Sequence, residues 1–111
     1  MNMSRLQRRL HVLIYPAPSV PGQWVSHCLD TDIVSQGNDA AHALEMICEA
    51  ITLNVEWAIE DGRPAFELRP APSEDWDRFE RSRSNVTRIL HLPSVPSDII
   101  VEPVVSDAAA G

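Results

Sequence analysis

The stretch "HCLDTDIVSQGNDAAHALEMICEAI", residues 27–51, decides the fold because its apolar side chains change their period at Gly37. Before Gly37, the segment "DIVSQG" is interpreted as a short strand, in which successive side chains point to opposite faces with a period of two. After Gly37, apolar residues recur every three or four positions, as on one face of a helix. The change predicts a strand that ends at Gly37 and a helix that begins directly after it.

The predicted helix covers residues 39–60, with Asn38 as its N-cap and Asp39 in its first turn. Gly62 is placed to end it. Its apolar sector takes up about half of the circumference, which is more than packing on one sheet requires. One stripe is predicted to cover the sheet: Ala40, Leu44, Ile47, Ile51, Val55 and Ala58. Acidic and polar residues occupy the opposite side: Glu45, Glu49, Thr52 and Glu56.

A second apolar stripe on this helix consists of Met46, Ala50, Leu53 and Trp57. We predict that these four residues form the surface that contacts a partner or a second copy of the chain, because a monomer exposing them would carry an apolar patch. The alternative is that Trp76 and Phe79 of a shorter C-terminal helix fold back and cover the stripe within one chain.

Three predicted strands precede the helix, over residues 9–15, 23–29 and 32–36. The first is apolar on nearly both sides, which indicates a central position in the sheet. The predicted fold class is α+β: a three-stranded antiparallel sheet with the long helix packed on one face, followed by a further strand, in the order β-β-β-α-β. We expect one domain over residues 1–111, with its core at 9–62.

Residues 63–111 are predicted to form a C-terminal extension without a recognisable DNA-binding domain. It contains a short helix, "EDWDRFERSR", capped by Ser73, with Trp76, Phe79 and Arg83 facing one way. An extended piece is predicted over 65–69, and strands over 86–92 and 98–105. Pro103 interrupts the last strand and favours an edge position for it.

The amino-acid composition limits the kinds of function that the chain can have. The chain has 111 residues, 44% of them hydrophobic, and a formal net charge of -7. This acidic balance argues against binding nucleic acid through its phosphates and is compatible with a basic protein partner. The apolar run "LHVLIY" is too short for a secretory or membrane segment. We therefore expect a cytoplasmic protein that does not associate with membranes.

Reactive side chains in residues 27–51 do not form a recognisable catalytic or metal motif. His27 and Cys28 point to opposite faces of a strand, so no metal site is predicted. No nucleophile elbow or phosphate loop accompanies Cys28. Asp30 and Asp32 are interpreted as solvated turn residues rather than as a Mg²⁺ pair. We predict that Cys28 and Cys48 are free and buried, and that the chain has no catalytic residues and no cofactor.

The segments "CLDTDIVSQG" (28–37) and "HALEMICEAI" (42–51), joined by Asn38 and Asp39, resemble the HicB family of antitoxins in their order. The resemblance covers residues 9–62. It implies a partial ribonuclease-H-like fold without the ribonuclease carboxylates. It also implies binding and neutralisation of a small basic ribonuclease toxin, HicA, and self-association. The DNA-binding domain that many members add is not recognisable here.

Three hypotheses follow for the function. The first is a non-catalytic HicB-like antitoxin-type protein. The second is a stand-alone homo-oligomeric structural or regulatory binding module of the same fold without a toxin partner. The third and weakest is an enzyme that uses Cys28, or Asp30 together with Asp32.

Overall fold

The computed structural model describes residues 8–63, 68–83, 93, 95–96 and 99–106. Its elements follow in the order β1 (Arg8–Pro16), β2 (Trp24–Cys28), β3 (Ile33–Gly37), α1 (Ala40–Glu60), α2 (Ser73–Arg83) and β4 (Ile99–Val105). The strands form one mixed sheet in the order β3-β2-β1-β4. The predicted α+β class is confirmed, with α1 packed on one face of the sheet.

Strands β1, β2 and β3 form an antiparallel meander, as predicted. The register pairs Val12 with Cys28 between β1 and β2, and Ser26 with Ser35 between β2 and β3. β1 is an inner strand, which confirms the inference from its apolar residues on both sides. Leu10, Val12 and Ile14 are fully buried beneath α1.

β4 pairs with β1 in parallel, so the sheet is mixed rather than purely antiparallel. The register sets Pro103 opposite Val12. β4 lies at the edge of the sheet, which confirms the position expected from a strand that contains proline. The strand predicted over 86–92 lies outside the described residues, as does most of the extended piece predicted over 65–69.

α1 has well-defined ends. Asp39, not Asn38, is the N-cap: its Oδ1 accepts the backbone N–H of His42 at 2.7 Å. The prediction was one residue early because both side chains suit a cap. At the other end, Gly62 has φ +70°, its N–H donates to Ile59, and the N–H of Arg63 donates to Ala58. This is a Schellman motif, as the position of Gly62 suggested.

α2 packs on the face of the sheet opposite α1. Phe79 is fully buried there in a second core with Leu13, Leu29, Ala71 and Val104, while Trp76 packs at its margin. The alternative in which Trp76 and Phe79 cover the outer stripe of α1 is therefore wrong. The physical reason is that Leu13 of β1 points away from α1. This second face of the sheet is apolar and is shielded from water by α2.

Candidate functional site

The four residues predicted as a contact surface lie on the outer side of α1. Met46 and Ala50 are half-buried, whereas Leu53 is 39% and Trp57 54% exposed. The opposite side of α1 carries the buried stripe from Ala40 to Ala58, as predicted. The structure therefore brings the four residues together along one side of the helix, which we call the apolar flank: Met46, Ala50, Leu53 and Trp57.

Met46, at the N-terminal end of the apolar flank, lies next to β3. Met46 and His42 line a cleft of about 460 Å³ together with Gln36 and Gly37 of β3. The loop before β2 closes the other side of this cleft with Val20, which is 47% exposed. This neighbourhood follows from the two-residue connection between Gly37 and Ala40, which sets the first turns of α1 on the end of β3.

An acidic row runs along the other flank of α1. We use this name for Glu45, Glu49 and Glu56, all of them exposed. They border a second cleft, which is lined also by Cys48, Thr52, Leu53 and Pro93. Spacings of four and seven residues keep them on one side of the helix. No ion pair joins these carboxylates to a basic side chain among the described residues.

Both cysteines are free and buried, as predicted. Cys28 on β2 and Cys48 on α1 belong to the same core, between sheet and helix. Burial raises the pKa of the Cys28 thiol, and burial together with Cys28 raises the pKa of Cys48 from 9.0 to about 11. A high pKa disfavours the thiolate, which is the reactive form. The two thiols therefore act as small core side chains.

The structure contains two histidine–aspartate pairs that were not predicted from the sequence. His11 on β1 meets Asp30, with its Nδ1 at 3.1 Å from Oδ2 and its backbone N–H donating to Oδ1 at 2.6 Å. His27 on β2 meets Asp32, with Nε2 at 2.6 Å from Oδ1. Alternation along the strands puts both histidines on the face that α2 covers. That alternation was the one available signal for this arrangement.

These pairs fix the turn between β2 and β3. The interpretation of Asp30 as a solvated turn residue is wrong, since its side chain is only 16% exposed. Its backbone oxygen also accepts the N–H of Arg69. Asp32 stands in the left-handed region with φ 59° and is half exposed. Cys28 points to the opposite face of β2, so the structure does not bring it together with His27.

His11 is packed inside an aromatic corner under α2. Its ring meets Trp76 and Phe79 edge-on, with centroids 5.2 and 5.5 Å away. Next to it, Glu102 of β4 accepts from Arg83 of α2 at 2.5 Å. These contacts hold α2 against β1 and β4, so His11 contributes to the packing of the fold.

Comparison of the chain with models of protein families, with characterised proteins and with solved structures gives no match. Membership of the HicB family therefore stays a prediction from the residues. Within the described ranges, no group of three or more His, Cys, Asp or Glu side chains is arranged to hold a metal ion. In the same part of the chain, no helix is both long and apolar enough to cross a membrane.

Proposed function

We propose that this chain is a non-catalytic HicB-like antitoxin-type protein that binds and neutralises a small basic ribonuclease toxin. The observation that carries the proposal is the acidic row of α1. Its three exposed carboxylates flank a cleft and have no basic partner among the described residues. A row of this kind attracts a basic protein and orients it during encounter.

The cleft beside the acidic row adds an apolar floor to this charge. Leu53 and Pro93 line it together with the methyl-bearing Thr52, whose hydroxyl donates to the backbone oxygen of Cys48 at 2.9 Å. A charged rim around an apolar centre is the ordinary composition of a protein interface. The net charge of -7 extends the same sign over the whole molecule.

The side chains that an enzyme hypothesis would use have other roles in this arrangement. Cys28 is in the core with a raised pKa. Asp30 and Asp32 are each engaged by a histidine and hold the turn between β2 and β3. This leaves binding through α1 as the chemistry that the described residues support best.

The experiment is capture from the native host with the full chain as bait, followed by an RNA-cleavage assay on any small basic protein that is recovered. We expect a ribonuclease that the chain inhibits at equal molar amounts, with binding that weakens as salt is added. Replacement of Glu45, Glu49 and Glu56 by Gln should lower the affinity by roughly ten- to a hundred-fold.

The matched control replaces Glu74, Asp77 and Glu80 of α2 by their amides, which changes the net charge by the same amount on the other side of the sheet. This variant should keep its affinity within a factor of about three, since distant exposed charges are screened. Equal losses in both variants, or a captured partner that is neither basic nor a ribonuclease, would count against the proposal.

The second candidate function is the stand-alone homo-oligomeric binding module without a toxin. The apolar flank of α1 favours it, because Trp57 and Leu53 remain exposed once the chain has folded. Recovery of this chain alone from the host, with no gene for a small basic ribonuclease beside its own, would select this candidate over the antitoxin.

A further inference from the structure

The two edges of the sheet differ in how they are protected. At one edge, β4 contains Pro103, which has no N–H to offer, and Glu102, which is bound by Arg83 and lies 3.6 Å from Arg9. Proline and charged side chains are the usual means of blocking an edge strand. At the other edge, β3 reads "IVSQG", with no charge and no proline. Val34, its second residue, is 58% exposed. Within the part of the chain that the structure describes, β3 is thus an unblocked edge.

The register shows which backbone groups of β3 point outward. The N–H of Leu29 donates to His11 across β1 and β2, so hydrogen-bonded and non-bonded pairs alternate from that point. Ser26 and Cys28 therefore direct their backbone groups to β3, where they meet Ser35 and Ile33. By the same alternation, Val34 and Gln36 direct their N–H and C=O groups away from the sheet.

The Met46 end of the apolar flank of α1 lies beside this same edge. On a wheel of roughly 100° per residue, Ala43, Met46, Ala50, Asn54 and Trp57 occupy the sector that faces β3, and this sector carries no charge. The cleft formed by Met46, Gln36 and Gly37 shows the helix and the strand edge side by side. An open strand edge and an exposed apolar helix flank thus belong to one continuous surface.

We propose that this surface pairs with a second copy of the chain, β3 against β3 in antiparallel direction about a two-fold axis at Ser35. Val34 of each copy then exchanges backbone hydrogen bonds with Gln36 of the other. The sheet becomes continuous over eight strands, and the two α1 helices lie side by side on one face. The proposal is independent of the toxin, since none of the three residues of the acidic row lies in the helix sector that faces β3.

A second copy suits the surface better than another strand would, because the surface is complementary to itself. The outward groups of β3 form a symmetric set, two N–H and two C=O groups about Ser35, which is what a two-fold axis requires. The helix sector beside them is uncharged, so two acidic chains approach there without direct repulsion between carboxylates. Ala50 is small and only half-buried, so it lets two helices come close together, at roughly 10 Å between axes.

Trp57 also finds a place in this arrangement. α1 is roughly 30 Å long and β3 roughly 17 Å, so the C-terminal turns of α1 extend past the Ile33 end of β3. Antiparallel pairing sets that end against Gly37 of the second copy. The cleft lined by Val20, Gly37 and Met46 lies there, and it is the site that we assign to the indole of the partner's Trp57.

The experiment is sedimentation equilibrium of the purified full chain, which should give twice the chain mass of 12.4 kDa. Val34→Pro tests the strand seam, because proline is tolerated where the N–H of an edge strand points outward. It removes two symmetric hydrogen bonds and should raise the dissociation constant roughly a hundred-fold. Val34→Thr keeps the N–H and the branched side chain, and should remain a dimer.

Amide hydrogen exchange keeps the proposal testable if Val34→Pro fails to fold, which circular dichroism would show. In the wild-type dimer, the N–H groups of Val34 and Gln36 should exchange slowly, and faster on dilution. A wild-type monomer at all concentrations, a Val34→Pro protein that folds and still dimerises, or fast exchange at Gln36 in the dimer would each overturn the proposal. A dimer with no toxin partner would support it and still count against the antitoxin function.

Discussion

Asp32 combines an unfavourable backbone conformation with a favourable side-chain contact. Its φ of 59° lies in the left-handed region, where a side chain costs about 1 kcal/mol relative to glycine. Its carboxylate holds the buried ring of His27 at 2.6 Å. Asp32→Ala keeps the strain and loses the contact, so we expect it to destabilise the fold by about 2 kcal/mol.

Asp32→Gly provides the matched comparison, because it relieves the strain while it loses the same contact. It should be more stable than Asp32→Ala by about 1 kcal/mol. Urea denaturation of both variants measures the difference. Alanine and glycine variants of equal stability would mean that the left-handed backbone is not a cost at this turn.

The buried thiols make stability depend on pH in the alkaline range. Cys48 has its pKa raised from 9.0 to about 11, and burial also raises the pKa of Cys28. The folded protein therefore holds these protons more tightly than the unfolded chain does. Stability should be fully present below pH 9 and should fall as the pH rises towards 11.

Denaturation midpoints measured at neutral pH and near pH 10 test this dependence. Cys48→Ala should be less stable at neutral pH, because it leaves a small cavity, and should lose less stability on going to alkaline pH. Thiol reagents should react with the native protein only as fast as it opens. Rapid stoichiometric labelling at neutral pH would contradict the burial of both thiols.

The histidine–aspartate pairs are contacts that could not be predicted from the individual residues of the sequence. The alternation in β1 and β2 predicts that His11 and His27 share a face. The turn conformation determines that Asp30 and Asp32 are the partners of these histidines. The positive φ of Asp32 cannot be predicted from the sequence "LDTD". A pair such as His11 with Asp30 also depends on the strand register, which joins positions 19 apart in the chain.

At the scale of elements, Gly37 joins β3 to α1 by close backbone contact. A Cβ built on it would lie 2.4 Å from the backbone nitrogen of Ala43 and 2.7 Å from the carbonyl carbon of His42. Backbone atoms cannot move aside as a side-chain tip can. Gly37→Ala should therefore separate strand and helix, with a loss of about 3 kcal/mol or more.

Gly22→Ala is the control for this substitution. Gly22 has φ +82° and open space around it, so its replacement should cost about 1 kcal/mol from backbone strain alone. Thermal unfolding of both variants gives the comparison. If Gly37→Ala were no more harmful than Gly22→Ala, the contact between β3 and α1 would be looser than the structure has it.

Elements near each other in the chain were predictable, and the long-range ones less so. The three antiparallel strands and α1 follow from period and turn signals, and their predicted ends lie within one or two residues of the observed ones. The side of the sheet that α2 covers was not predictable, because the amphipathic pattern of Trp76 and Phe79 fits any apolar surface. The parallel pairing of β4 with β1 likewise joins the two ends of the described chain.

At the scale of the whole molecule, α1 separates two surfaces of different chemistry. Met46 of the apolar flank lies beside the open edge of the sheet at β3, and the acidic row borders the separate cleft that contains Pro93. The residues of both were visible in the sequence as a helical wheel. Their orientation relative to the sheet was not, because it depends on which edge the helix overlies.

This separation predicts that self-association and partner binding can be removed one at a time. Trp57→Glu places a charge in the apolar flank and should dissociate the dimer, while a fully exposed acidic row keeps its affinity for a basic partner. Glu45→Gln, Glu49→Gln and Glu56→Gln together should do the reverse, because none of the three lies in the sector that faces β3. Trp57 is 54% exposed in the single chain, so its replacement should leave the melting temperature of the monomer nearly unchanged.

Sedimentation and partner titration on both variants complete the test. Loss of both properties in either variant would mean that one surface serves both roles, with Leu53, which lies between the flanks, as its centre. Unfolding of Trp57→Glu as a monomer would instead mean that the indole is part of the core. If Trp57→Glu loses only self-association and the triple Gln variant loses only partner binding, the apolar flank binds the second copy and the acidic row binds the basic partner.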